Sequence, residues 1–316
     1  MQHWCQVIDH SNHSRLNNTN EQNFYNHIGE PLLLQQMTAE QRIFFQTLNL
    51  AYIATQEDNS NPLKVQVWCS IIAGEGMFSF PSAKMVKIKL SAFLSDDPAN
   101  LKPGCHVGIL GLDNSKQCIM RINTIVIAQT SVDLRLSVMQ TFSFYPESQR
   151  DNQLPVFDMP RVPHILGGVP RNRIYNRQGI LDNKSINLIE QSSAFFLATS
   201  SGIKECTVPA TAIGCDVAIR QGLPGFVTVE SRHTSQSFHI LRWTETVGNN
   251  LLISMGNIAL YPRAGLLFLD WCSGDMLQIT GSVEILRDQP NLSGNQRVLE
   301  LTVYMDIFTS SSNGTS

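Results

Sequence analysis

One stretch of this chain occurs twice. His106-Val107-Gly108-Ile109-Leu110-Gly111-Leu112-Asp113 lies over Arg263-Ala264-Gly265-Leu266-Leu267-Phe268-Leu269-Asp270 at an offset of 157 residues, and the same offset sets Arg121-Ile122-Asn123 over Gln278-Ile279-Thr280 without a gap. Upstream, Tyr52-Ile53-Ala54-Thr55 matches Phe196-Leu197-Ala198-Thr199, each after a short helical pattern, and Gly76-Met77-Phe78 matches Gly225-Phe226-Val227. Four matches in one order at changing offsets mean shared strands separated by loops of different length. Such a repeat constrains the fold more than local propensity does: one unit is built twice, and the face through which a single copy would self-associate is covered by its sister.

The unit itself reads as β. Short strand-like runs, LAYIAT (50–55), KVQVWCSII (64–72), MFSF (77–80), HVGILGL (106–112) and CIMRINTIVIA (118–128), follow a helical segment, Thr38 to Leu48, that opens on a Thr cap. After residue 184 the pattern restarts with the helix-like SINLIEQSS and the strand-like AFFLATSS. The clearest copy of the repeat is the stretch from Met255 to Ile285. A turn element ending in Pro262 leads into a strand, Ala264 to Trp271, and a turn at Ser273, Gly274 and Asp275 opens a second strand. There Leu277, Ile279, Val283 and Ile285 alternate with Gln278, Thr280, Ser282 and Glu284, the pattern of a half-buried antiparallel strand. Helix, strands and a long hairpin, repeated, predict a mainly β protein with a barrel core in each copy and a few short helices. The expected domains are a disordered N-terminal tail (1–30), a first repeat (31–143), a proline-containing linker (144–183), a second repeat (184–305) and a flexible C-terminal tail (306–316).

Bulk properties exclude several classes. A chain of 316 residues has room for two domains, and 42% hydrophobic with 16% charged residues is an ordinary soluble composition. A net charge of −3 gives neither nucleic acid nor an anionic membrane surface a reason to bind. No run approaches the roughly 18 apolar residues of a membrane span, and the polar N-terminus does not read as a secretory signal. Seven scattered cysteines fit reduced thiols in the cytoplasm better than a disulfide framework. His3, Cys5, His10 and His13 have no recognised metal-ligand spacing, so no metal is expected. Walker, Gly-x-Ser-x-Gly, His-Glu-x-x-His and Gly-x-Gly-x-x-Gly patterns are absent, and no residue is nominated as a general base.

The combination FFLATS (195–200), RQGLPGFV (220–227), GNNLLISMGNIALYPRAGLLFLD (248–270) and GDMLQITG (274–281) resembles the pyridoxamine 5′-phosphate oxidase-like flavin-binding split barrels, and within them a subgroup with two barrels in tandem. The resemblance spans roughly residues 30 to 305 and is more specific in the second half. It implies two tandem split β-barrels forming a pseudo-dimer, with FMN in a groove between them. By position it implies Arg220 near the flavin phosphate, Trp243, Thr244 and Glu245 along the ring and ribityl chain, Asn249 and Asn250 at a phosphate-side turn, and Gln278 on the flavin ring. These residue types suit a flavin nucleotide, with a guanidinium and amides for the phosphate and an aromatic wall and an edge donor for the ring. FMN would supply the redox chemistry and the protein would place it.

Two positions depart from the subgroup: its Ser-His before the Arg-Gly-Gly turn reads Ala218-Ile219 here, and its Gly-Asn-Arg ends in Asn250. The leading expectation is an FMN-dependent oxidoreductase acting on a small molecule, its substrate and electron donor unassigned. The competing one is a degenerate, non-catalytic split-barrel module for binding or interaction. A third is a barrel groove holding another planar ligand, such as haem or a deazaflavin. Pyridoxamine phosphate oxidation is disfavoured because the family's basic C-terminal segment is not evident. Fusion is compatible with a self-sufficient monomer and with a homodimer of fused chains.

Overall fold

The computed structural model describes residues 34–56, 66–94, 101–113, 118–144, 171–176, 178–202, 214–233, 237–246, 251–286 and 296–311. The expected N-terminal tail, with its histidines and Cys5, lies outside them, as does most of the expected linker.

The first half begins with helix α1 (Ala39–Thr47), closed by a reciprocal cap in which Thr38 Oγ1 accepts from the Gln41 N–H and Gln41 Oε1 accepts from the Thr38 N–H. Strands β1 (Leu50–Gln56), β2 (Val67–Ala73), β3 (Phe78–Ser82), β4 (Met85–Lys89), β5 (His106–Asp113), β6 (Cys118–Gln129) and β7 (Asp133–Phe144) follow. The second half runs through β8 (Arg171–Asn176), α2 (Asn183–Gln191), β9 (Ala194–Ser200), β10 (Cys215–Gln221), β11 (Val227–His233), β12 (Ser237–Thr246), α3 (Leu251–Leu260), β13 (Arg263–Leu269), β14 (Met276–Leu286) and β15 (Gln296–Ser311). The protein is therefore mainly β, with two antiparallel sheets. One has seven strands in the order β2-β1-β5-β6-β7-β4-β3. The other has the corresponding order β10-β9-β13-β14-β15-β12-β11, with β8 added against β15. The repeat legible in the sequence is thus a repeat of topology.

Each half has its own apolar core, the first around Phe45, Ile53, Ile88, Ile109 and Leu136, the second around Phe195, Leu197, Trp243, Phe268 and Leu301. A third core lies between them. Tyr52, Val67, Cys69, Ile71 and Leu110 of the first half pack there against Phe196, Val217, Ile219 and Leu267 of the second. Repeat-equivalent Tyr52 and Phe196 stack on each other with ring centroids 3.5 Å apart, so the halves meet through the same face of each. Repeat-equivalent glycines make the close approach possible. A Cβ at Gly108 would lie 2.5 Å from the Cys215 carbonyl oxygen, and one at Gly265 would lie 2.6 Å from that of Val67.

Four expectations are corrected. Met255 to Leu260, read as part of a short turn element ending in Pro262, belong to α3: Met255 and Ile258 pack into the second core, Ser254 and Asn257 hydrogen-bond to β10 and β9, and Pro262 follows the helix end. The expected C-terminal tail is ordered strand to Ser311, hydrogen-bonded to β14 and β8. The expected linker contributes β8. Finally, β14 is half-buried only beyond Gly281: Leu277, Ile279, Gln278 and Thr280 are all buried, since the first half covers the face that would otherwise meet water. A bulge between Thr280 and Gly281 marks the change.

Candidate functional site

The site residues implied by the resemblance sit on both faces of the second sheet. In β10, Cys215, Val217 and Ile219 point into the core between the halves, so Asp216, Ala218 and Arg220 face the interior of the second half. Arg220 lies opposite Phe195 in the β9–β10 register, and only 3% of it is exposed. Its Nε donates to Glu245 Oε1 and its Nη1 donates to the Ile219 carbonyl at 3.1 Å. Trp243 Nε1 donates to the same Glu245 oxygen at 2.9 Å, and the indole ring meets Phe195 edge-on at 5.3 Å. The structure therefore unites three of the implied residues, Arg220, Trp243 and Glu245, as an internal ion pair braced by a core indole.

Thr244, between Trp243 and Glu245, is exposed on the outer face. That face also carries Arg242, which donates to Glu230 and Glu300 at 2.6 Å each. Asn249 and Asn250 lie outside the described residues.

Gln278 points the other way, into the junction with the first half, and is 5% exposed. Its Nε2 donates to the Cys69 carbonyl at 2.9 Å and to Ser70 Oγ at 3.0 Å, and its Oε1 accepts from Arg173 Nη2 at 3.2 Å. Both amide hydrogens are committed inside the protein. As placed here, Trp243 and Gln278 do not offer a flavin ring its contacts. A ring needs an open wall and a free edge donor, whereas Trp243 is enclosed in the second core and Gln278 is spent on β2, across the sheet from Arg220.

The polar group that sequence reasoning missed is Asp216, fully buried in β10. Its Oδ2 accepts from Arg121 Nη1 at 3.1 Å and from Ser254 Oγ at 3.5 Å. Arg121, itself buried, lies over the Phe142 ring at 5.5 Å. Burial pushes the Asp216 carboxyl up, while Arg121 and Arg220 pull it back; burial also pulls Arg121 down against the pull of Asp216. Beside it, Asn257 Nδ2 donates to Thr199 Oγ1 at 3.0 Å, so one face of α3 binds both β9 and β10. A signal for Asp216 was present: a carboxylate inside the strand run CDVAIRQ needs an internal cation, and Arg121 already stood out as the repeat counterpart of Gln278. What the sequence lacked was the pairing across the junction.

One Ser–His contact has the look of a catalytic pair, and its hydrogen bonds decide against that. His239 Nε2 lies 3.0 Å from Ser231 Oγ, while the Leu181 backbone N–H donates to His239 Nδ1 at 2.8 Å. A backbone N–H only donates, so Nδ1 is the acceptor and Nε2 carries the proton. The imidazole donates to Ser231 and is not a base for it. Among the described residues, no three His, Cys, Asp or Glu side chains are grouped to hold a metal ion.

No protein-family model matches the chain, and no curated protein matches it. Among solved structures it is similar to the Bacillus subtilis inhibitor of motility MotI/DgrA at 8% sequence identity, over 81% of this chain and 87% of that one, with a TM-score of 0.20. A superposition that poor carries no argument about fold or function. No helix in the described residues is long and apolar enough to cross a membrane.

Proposed function

We propose that this chain is a tandem split-barrel protein of the pyridoxamine 5′-phosphate oxidase-like type that serves as a non-catalytic binding or interaction module. The repeated strand order and the shared packing face support the tandem-barrel part of this reading. The observation that carries the loss of catalysis is the saturation of Gln278 by Cys69, Ser70 and Arg173, at the junction where the resemblance puts the flavin. Ala218 and Ile219 agree with it, since they leave apolar groups where the subgroup has phosphate-binding ones. The face used by the first half is covered within the chain, which favours a monomer over a homodimer. Among the described residues, Cys69, Cys105, Cys118, Cys215 and Cys272 form no disulfide, in keeping with the expectation of a cytoplasmic protein.

The test is the visible spectrum of the purified protein, followed by titration with FMN monitored by flavin fluorescence. A colourless protein that leaves added FMN in solution is the expected result. A bound flavin that is lost in Arg220→Ala, with turnover of a nicotinamide donor, would overturn the reading in favour of the FMN-dependent oxidoreductase. A spectrum of haem or a deazaflavin would replace it with the third reading.

A further inference from the structure

We propose that His239 is an acid-released latch on the segment Gln178–Asp182, which carries the chain from β8 into α2. The segment is held from both sides. Leu181 N–H donates to His239 Nδ1 at 2.8 Å, and the His239 backbone N–H returns a bond to the Gly179 carbonyl at 2.8 Å. Gly179 has φ +70°, and a Cβ there would lie 2.6 Å from the Val303 carbonyl oxygen, so the segment is pressed onto β15. Leu181 is buried in the second core, and Asp182 then caps α2 by accepting from the Ser185 N–H at 2.7 Å.

The latch depends on a neutral imidazole. Protonation puts a hydrogen on Nδ1 facing the hydrogen of Leu181, turning an attraction into a repulsion. Among the described residues, the charged groups coupled to His239 and to the segment are His233 on β11, Asp182 at the start of α2 and Asp306 on β15. Lys184 is engaged with Asp275 at 3.0 Å, and Glu230, Arg242 and Glu300 occupy the outer face. Burial, with His233 adding to it, holds the His239 imidazole below its ordinary value of 6.5. Its contribution is therefore complete above the ordinary histidine range and is lost as pH falls through the depressed value. Asp306 has the opposite sign. Burial, with Asp182 adding to it, pushes its carboxyl up to about 7, so its contribution is lost as pH rises toward that value.

Because the two groups oppose each other, the latch is tested in the full-length Asp306→Asn chain, by hydrogen exchange at the Leu181 amide corrected for intrinsic rates. Protection is expected to fall as pH drops from the ordinary imidazole value to the depressed one, with a limiting slope of about tenfold per pH unit. In the Asp306→Asn/His239→Asn chain, where the Asn Oδ1 can accept the same N–H, protection should not change with pH. Flat protection in Asp306→Asn, or a slope surviving in the double variant, overturns the proposal. Should the double variant fail to fold, imidazole nitrogen shifts in the unmodified chain decide. The Nε2–H tautomer with a midpoint below 6.5 supports the latch, and the Nδ1–H tautomer overturns it.

Discussion

Arg121 in the first half and Gln278 in the second occupy the same place in the repeat, and each reaches across the junction to an edge strand of the other half. Arg121 meets Asp216 in β10, and Gln278 meets Cys69 and Ser70 in β2. The apolar partners at the junction have stayed alike, as the stacked Tyr52 and Phe196 and the paired Gly108 and Gly265 show. The polar partners have not: one side uses a buried ion pair and the other a neutral amide. Packing of two sheets demands complementary shape from both copies, so it restrains them together. A polar contact needs only its own partner, so each side was free to change its chemistry as long as both members changed.

That contrast can be broken experimentally. Arg121→Met leaves the Asp216 carboxylate buried and unpaired, and should destabilise the protein by about 3–5 kcal/mol in chemical denaturation. Arg121→Met with Asp216→Leu should recover much of the loss, because the uncompensated charge is gone. No recovery would mean that the ion pair is not the reason for the cost. Gly265→Ala drives a methyl group into the β2 backbone and should cost about 1–3 kcal/mol, with Gly108→Ala matching it if the halves are equivalent in packing. Unequal losses would show that one side of the junction yields more readily. The smallest effect is expected at Thr280, whose Oγ1 donates to Gln66 Oε1 at 3.1 Å across the same junction. Thr280→Val should cost about 1 kcal/mol in the same measurement.

Much of the fold is legible in the chain. The helix from Thr38, the strands at 50–55, 106–112 and 118–128 and the repeat itself all follow from capping, alternation and spacing, which are local or nearly so. Residues 251–260 are not legible as a helix, because an apolar run with Gly256 has no decisive period and its helix is stabilised by what it packs on. The candidate site is less legible still. Arg220, Trp243 and Glu245 do come together, but into one another, and Gln278 turns to the opposite face of the sheet. A position in a motif says which strand a side chain occupies; it does not say whether an internal partner has already taken its hydrogen bonds.

The sequence by itself determined that this protein is a duplicated, mainly β unit, because strand alternation and repeated spacing are properties of the chain read along its length. Only the tertiary structure decided how the copies meet and what their polar residues do there. Burial of both faces of β14, the charge pairing of Arg121 with Asp216, and the tautomer of His239 each depend on groups tens to hundreds of residues away. Their free energies exist only once water has been excluded between the halves and around the second core.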